Sequence, residues 1–213
     1  LKQTAKDARL ALDPALARDF STSIKALYSN RPELARDLET MERQTGHHMD
    51  GFAIIDTVEN TIMSPLDQRA RREIEAAARQ VATVTALVPI PLADVAVALT
   101  TNIRMIRKIA DIYGGRSGII GSWRLLRSVM AHLVATGAVA VGDDWLGSIF
   151  GGSLLAKLSR RFGEGMINAA LTARVGRAAI DVCRPMPFHT NAKPRVSAIL
   201  QRAMTGVFDK SPN

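Results

Sequence analysis

Residues 81–101, VATVTALVPIPLADVAVALTT, hold one charge, Asp94, and two prolines, Pro89 and Pro91. The run is as long as the roughly 20 apolar residues that cross a bilayer as a helix. Proline removes a backbone donor and disfavours helix in the residue before it, so the run divides into two pieces. Each piece has only about half the length needed to cross. The expected structure is a buried helical hairpin, with a kinked or re-entrant membrane segment as the alternative. Asp94, three residues after Pro91, reads as an acid in a first helical turn rather than a proton-relay group.

Helix signals surround this run, and strand signals are nearly absent. Asp13-Pro14, Asn30-Arg31-Pro32 and Ser64-Pro65-Leu66-Asp67 each pair a capping side chain with an early proline. Gly46 is expected to end the second of these helices. Asp50 is expected to cap a short helix carrying Phe52, Ile55 and Val58. Residues 68–79 are rich in helix formers. Residues 102–113 form an amphipathic pattern, with Ile103, Ile106, Ala110 and Tyr113 on one stripe and Arg104, Arg107, Lys108 and Asp111 largely opposite; Gly114-Gly115 ends it. A further helix is expected from about Ser122. Asp143-Asp144 and glycines 147, 151 and 152 then mark a break before a helix near Leu154, with Lys157, Arg160 and Arg161 on its outer side. Gly163-Glu164-Gly165 is expected to break the chain again, Pro185 and Pro187 to stop the helix over 166–183, and Pro194 to start the last, packed through Val196, Ile199, Leu200 and Met204. The fold class is all-α: a multi-helix globular bundle with a central buried apolar helical hairpin. Two parts are expected, a slightly acidic helical segment over 1–63 and a basic helical domain over 64–213.

Charge supports that division. Residues 1–70 carry nine Lys and Arg against eleven Asp and Glu, whereas 71–213 carry nineteen against nine. A basic surface of this kind meets anionic lipid, an acidic protein or nucleic acid. Nucleic acid ranks below a membrane surface, because aromatic stacking platforms and a ribonucleoprotein motif are missing. Cys183 is the only cysteine, which fits a reducing compartment and a structural thiol. The chain opens on Leu rather than Met and is read as a piece of a longer protein.

Motifs that would support chemistry fail on inspection. The glycine cluster over 114–122 lacks the lysine of a phosphate-binding loop and the preceding strand of a dinucleotide fold. His47-His48 with Asp50 is a poor metal site, because adjacent side chains diverge and no second ligand cluster exists; His132 and His189 stand alone. No catalytic residue, cofactor or metal is assigned, and the chain is read as non-enzymatic.

Five stretches taken together carry a resemblance: 68–74 (QRARREI), the proline-split run with Asp94, Asn102-Ile103-Arg104 through Tyr113-Gly114, 171–176 (LTARVG), and Cys183-Arg184-Pro185-Met186-Pro187. Over about residues 65–195 the chain resembles the YcjF-type family of bacterial inner-membrane proteins, whose helical domain of unknown function is also fused to some Era-like GTPases. Family members carry two transmembrane helices ahead of this region, of which this chain holds no counterpart, and the apolar run is often counted as a third. The resemblance implies an inner-membrane location with this portion on the cytoplasmic face, and a YcjX-like P-loop nucleotide hydrolase as partner. The expected role is a membrane-associated helical scaffold or regulator, with membrane insertion as the rival. The candidate lipid or partner contacts are Arg104, Arg107, Lys108, Arg124, Arg127, Arg160 and Arg161.

Overall fold

Local signals place most helix ends. The computed structural model describes residues 1–10, 14–45, 50–87, 91–114, 127, 131 and 154–208. Helix α1 covers Lys2–Leu10, and α2 covers Pro14–Tyr28, starting on the proline that suits a first helical position. A 3-10 turn at Pro32–Leu34 leads into α3, Ala35–Gln44. Its flanking residue is Arg31, in extended backbone and without a side-chain cap, so Asn30 does not serve as the expected cap. Helix α4, Gly51–Val58, begins at Asp50, whose carboxylate accepts the Ala53 N–H at 2.7 Å.

Ser64 corrects an expectation. Its backbone is helical, and the helix runs on from α4 through a π turn at Glu59–Met63 into α5, Ser64–Leu87. The Ser64 N–H reaches back five residues to the Glu59 carbonyl. A proline ring inside a helix collides with the carbonyl four residues earlier, and the widened turn ahead of Pro65 relieves that collision. The expected boundary between residues 63 and 64 thus falls within continuous helix.

Helix α6 spans Pro91–Ile112, so the second half of the apolar run and the amphipathic segment after it form one helix rather than two. Asp94 lies in its first turn. The helix ends before Gly114, whose φ of +87° is open to glycine at little cost. Helix α7, Leu154–Cys183, passes straight through Gly163-Glu164-Gly165, against the expected break. Helix α8 is Val196–Phe208. The expected helix from Ser122, the break over 143–152 and His47-His48 lie outside the described residues.

The chain forms two compact units. The first comprises Leu1–Arg69, Ile112–Gly115 and Cys183–Lys193. In it α1, α2 and α4 pack against one another, and α3 packs on the π turn, around Phe20, Ile24, Tyr28, Met41, Ile54, Ile62 and Leu66. The second comprises Ala70–Asp111, Arg116–Val182 and Pro194–Asn213. Its described core is dominated by small residues, with Ala78, Ala169 and Ala203 in one cluster against which Ala82, Leu200 and Met204 pack; Ile74, Val81, Met105, Ile106 and Ile109 are also buried. Small side chains let backbones close in: a Cβ on Gly165 would stand 2.9 Å from the Ala82 carbonyl oxygen. That close approach explains glycine within an unbroken helix. Lys108 Nζ meets Glu73 Oε2 at 2.9 Å, joining α6 to α5. Among the described side chains of the apolar run, burial is one-sided. Val81 and Thr85 are buried, whereas Leu99 is 52% exposed.

Candidate functional site

Pro185 prevents α7 from continuing, and the turn that follows delivers Arg184 to a buried position in the first unit, 1% exposed. Its Nε donates to Asp67 Oδ1 at 3.0 Å, and Nη2 donates to Asp67 Oδ2 at 3.1 Å and Glu59 Oε1 at 2.9 Å. Nη1 donates to the carbonyls of Met186 and Pro187 at 2.8 and 2.6 Å. A guanidinium has five N–H groups, and these bonds occupy all of them. Its face lies over the Phe188 ring, 3.9 Å from the centroid.

The π turn assembles the two acids. At about 100° per residue an eight-residue separation in a regular α-helix leaves Glu59 and Asp67 about 80° apart. A π turn absorbs one residue, which reduces the offset to about 20° and turns both carboxylates toward one cation. The remaining acceptor capacity is taken up locally. Glu59 Oε2 accepts the Thr190 N–H at 2.7 Å and the His189 N–H at 3.1 Å, and Tyr113 donates its hydroxyl to Asp67 Oδ1 at 2.6 Å. Tyr28 in turn donates to the Tyr113 carbonyl at 3.2 Å, and Arg31 Nη1 donates to the Ile112 carbonyl at 2.6 Å. Buried charges without partners cost several kcal/mol, so this degree of bonding is what makes the cluster tenable.

Such an arrangement braces a fold and leaves no donor of Arg184 for a substrate. Burial, reinforced by the Asp67 charge, raises the ionisation of Tyr113 well above its ordinary value, and burial does the same to Tyr28 against the opposing charges of Arg31 and Arg184. Both phenols are therefore favoured neutral in the folded state. Their contribution to stability is complete below pH about 10, the ordinary phenol value, and declines as pH rises above it. These are the chain's two tyrosines. In an alkaline titration, tyrosinate absorbance is expected to rise together with the loss of helical circular dichroism; a separate, earlier rise at pH 10 would contradict the cluster's burial. Burial also pushes the Cys183 thiol up to about 11, against the opposing charge of Lys2, which keeps it in the unreactive form at neutral pH. Among the described residues no group of three or more His, Cys, Asp or Glu could hold a metal ion.

The sequence-derived cationic candidates lie elsewhere. Arg104, Arg107 and Lys108 share one side of α6 at spacings of three and four residues; Arg104 and Lys108 are exposed and Arg107 half-buried. Arg127 is helical and exposed. Arg160 and Arg161 lie on α7, but their side chains, and Arg124 altogether, fall outside the described residues. The structure therefore brings three of the candidates together. The outer side of α6 also includes Ala96, Leu99, Thr100 and Ile103, while Thr101, Met105, Ile106 and Ile109 point into the core.

Residues 49–209 match the model of a domain of unknown function, DUF697. The chain belongs to the DUF697 family. The DUF697 chain is 40% identical to a UPF0283 membrane protein of Rhizobium leguminosarum bv. trifolii over 196 residues, and 40% identical to one of Sinorhizobium medicae over 200. A UPF0283 membrane protein of Agrobacterium fabrum is likewise 40% identical over 196 residues. These alignments cover 92%, 94% and 92% of the chain. The chain spans 55% of the length of each of these relatives. No solved structure matches the chain. Resemblance and comparison agree on a bacterial membrane-protein family with a helical domain of unknown function. Among the described residues no helix of the DUF697 chain is long and apolar enough to cross a membrane.

Proposed function

We propose that this DUF697 chain is a non-enzymatic, membrane-associated helical scaffold or regulator that works with a P-loop nucleotide hydrolase at an anionic surface, on the cytoplasmic side of the bacterial inner membrane. The observation behind this reading is the outward side of α6, where Arg104, Arg107 and Lys108 stand on a helix whose opposite side is locked into the core. A cationic side fixed on a rigid helix attracts anionic partners over distances set by the Debye length, about 8 Å at physiological salt. Lys108 shares its charge with Glu73, so Arg104 leads. The names of the relatives, all membrane proteins, support the location.

Two binding experiments test it: co-sedimentation with vesicles containing phosphatidylglycerol, and capture of a purified YcjX-like hydrolase on the immobilised chain. Retention in at least one, weakened by Arg104→Gln/Arg107→Gln, is the expected result, and binding in neither defeats the proposal. The rival reading, insertion that perturbs the bilayer, draws on the apolar run of 81–101. It predicts release of an entrapped dye from the same vesicles; scaffolding predicts none.

A further inference from the structure

Helix α8 is thinly attached to the second unit. Of its described side chains, Ile199 and Ala203 are buried, Val196, Leu200 and Met204 are half-buried, and the rest are exposed. Ala203 lies in one cluster with Ala78 of α5 and Ala169 of α7, and Leu200 and Met204 pack against it. Two polar contacts supplement this. Arg79 Nε donates to the Ala203 carbonyl at 3.1 Å, and Arg202 Nη1 stands 3.7 Å from Glu75 Oε1 with the arginine side chain 66% exposed. An element held by so few buried apolar side chains is the first to open. We infer that α8 is a releasable strap: it leaves α5 and α7 as a unit while they stay folded, and in doing so uncovers an apolar strip along α7. The strap is independent of the cationic side of α6.

The strip is longer than the part α8 covers. Phe162, Met166, Ala169 and Ala173 follow one another at spacings of four, three and four residues and so share one side of α7. Ala169 and Ala173 are buried, whereas Met166 is 41% and Phe162 56% exposed. Release of α8 bares Ala169 and joins it to Met166 and Phe162 in one apolar run about 10 Å long, at 1.5 Å per residue. Helices α5 and α7 hold together without the strap, because Ile74 packs against Gly176 and the Ala82 carbonyl oxygen lies close against Gly165. The chain is also secured just ahead of α8, where Glu59 accepts the His189 and Thr190 N–H groups. Release therefore leaves α8 on a short tether over 191–195. A detached helix of 13 residues is marginal in water, so its amides lose protection together.

Hydrogen exchange of the full chain, read by mass spectrometry in increasing sub-denaturing urea, tests the strap. Amides of α8 are expected to exchange at least about a hundredfold faster than the buried stretches of α5 and α7. Their rates depend only weakly on urea, because a local opening exposes little surface. Arg79→Gln speeds exchange in α8 by about tenfold, the lower end for a hydrogen bond from a charged donor, and leaves α5 and α7 unchanged. Ala203→Leu overfills the alanine cluster. It is expected to leave α8 nearly unprotected and α5 and α7 protected, and to raise the fluorescence of the apolar-surface dye anilinonaphthalene sulfonate. Exchange of α8 at the same rate as α5 and α7, in the unaltered chain and in Arg79→Gln alike, overturns the inference. Loss of protection in all three helices of Ala203→Leu does so too, since α8 is then part of one cooperative core. A freely exchanging α8 in that variant with no gain in dye fluorescence overturns the masking of the strip.

Discussion

Replacing Arg184 with methionine is expected to lower the unfolding free energy by about 3–5 kcal/mol, the usual consequence of removing one partner from a buried charge cluster. Methionine fills much of the same space but leaves Glu59 and Asp67 facing each other with no cation between them. The carbonyls of Met186 and Pro187 lose their donor at the same time. Arg184→Lys is expected to fall between the two, since an ammonium restores the charge but has three donors in place of a planar five-donor fork. Urea unfolding followed by circular dichroism measures both. A loss below about 1 kcal/mol for the methionine variant, the scale of an exposed ion pair, would mean that the cluster is not buried in solution.

Gly176→Ala is expected to be the most disruptive small change in the second unit. The added Cβ would stand 2.5 Å from Ile74 Cγ1 and 2.8 Å from Cγ2. A β-branched side chain on a helix has one strongly preferred rotamer, so Ile74 cannot swing aside and α5 and α7 must move apart. Overpacking of this kind costs about 1–3 kcal/mol, and the better helix propensity of alanine returns about 1. Because both γ carbons are hit, the clash dominates, leaving a net loss of about 2 kcal/mol. Combining Gly176→Ala with Ile74→Ala is expected to reveal a favourable coupling of about 1–3 kcal/mol, since the new methyl then occupies space the isoleucine vacates. Gly163→Ala is the control. Nothing lies within 4 Å of its would-be Cβ, so that variant gains stability instead. Equal effects at the two glycines would refute the close approach at Gly176.

The readable parts of the fold were those settled by chemistry within a turn or two of chain. Pro14 starting α2, the Asp50 carboxylate capping α4 and Pro185 stopping α7 after Cys183 are all local. The misread parts were settled by distant neighbours. Gly165 looks like a break until the Ala82 backbone is placed against it, and Ser64-Pro65 looks like a start until the π turn before it is seen. Arg104, Arg107 and Lys108 could be grouped from periodicity alone because a helix face repeats every three to four residues. The buried cluster could not. Arg184 lies 117 residues from Asp67 and 125 from Glu59, and the acids are helical neighbours only by virtue of the irregular turn. The available signal was an arginine set between a helix end and two prolines in apolar surroundings, which indicates burial but names no partner.

The π turn makes chain length and proline content in this helix inseparable. Deleting one residue from 60–63 would restore ordinary α-helix and still leave Glu59 and Asp67 about 20° apart, so the arginine would keep both acids. The regularised helix would, however, press the Pro65 ring against the carbonyl four positions back. A shortened chain should therefore fold well only when Pro65→Ala accompanies the deletion, and neither change should be tolerated as well alone as the two are together.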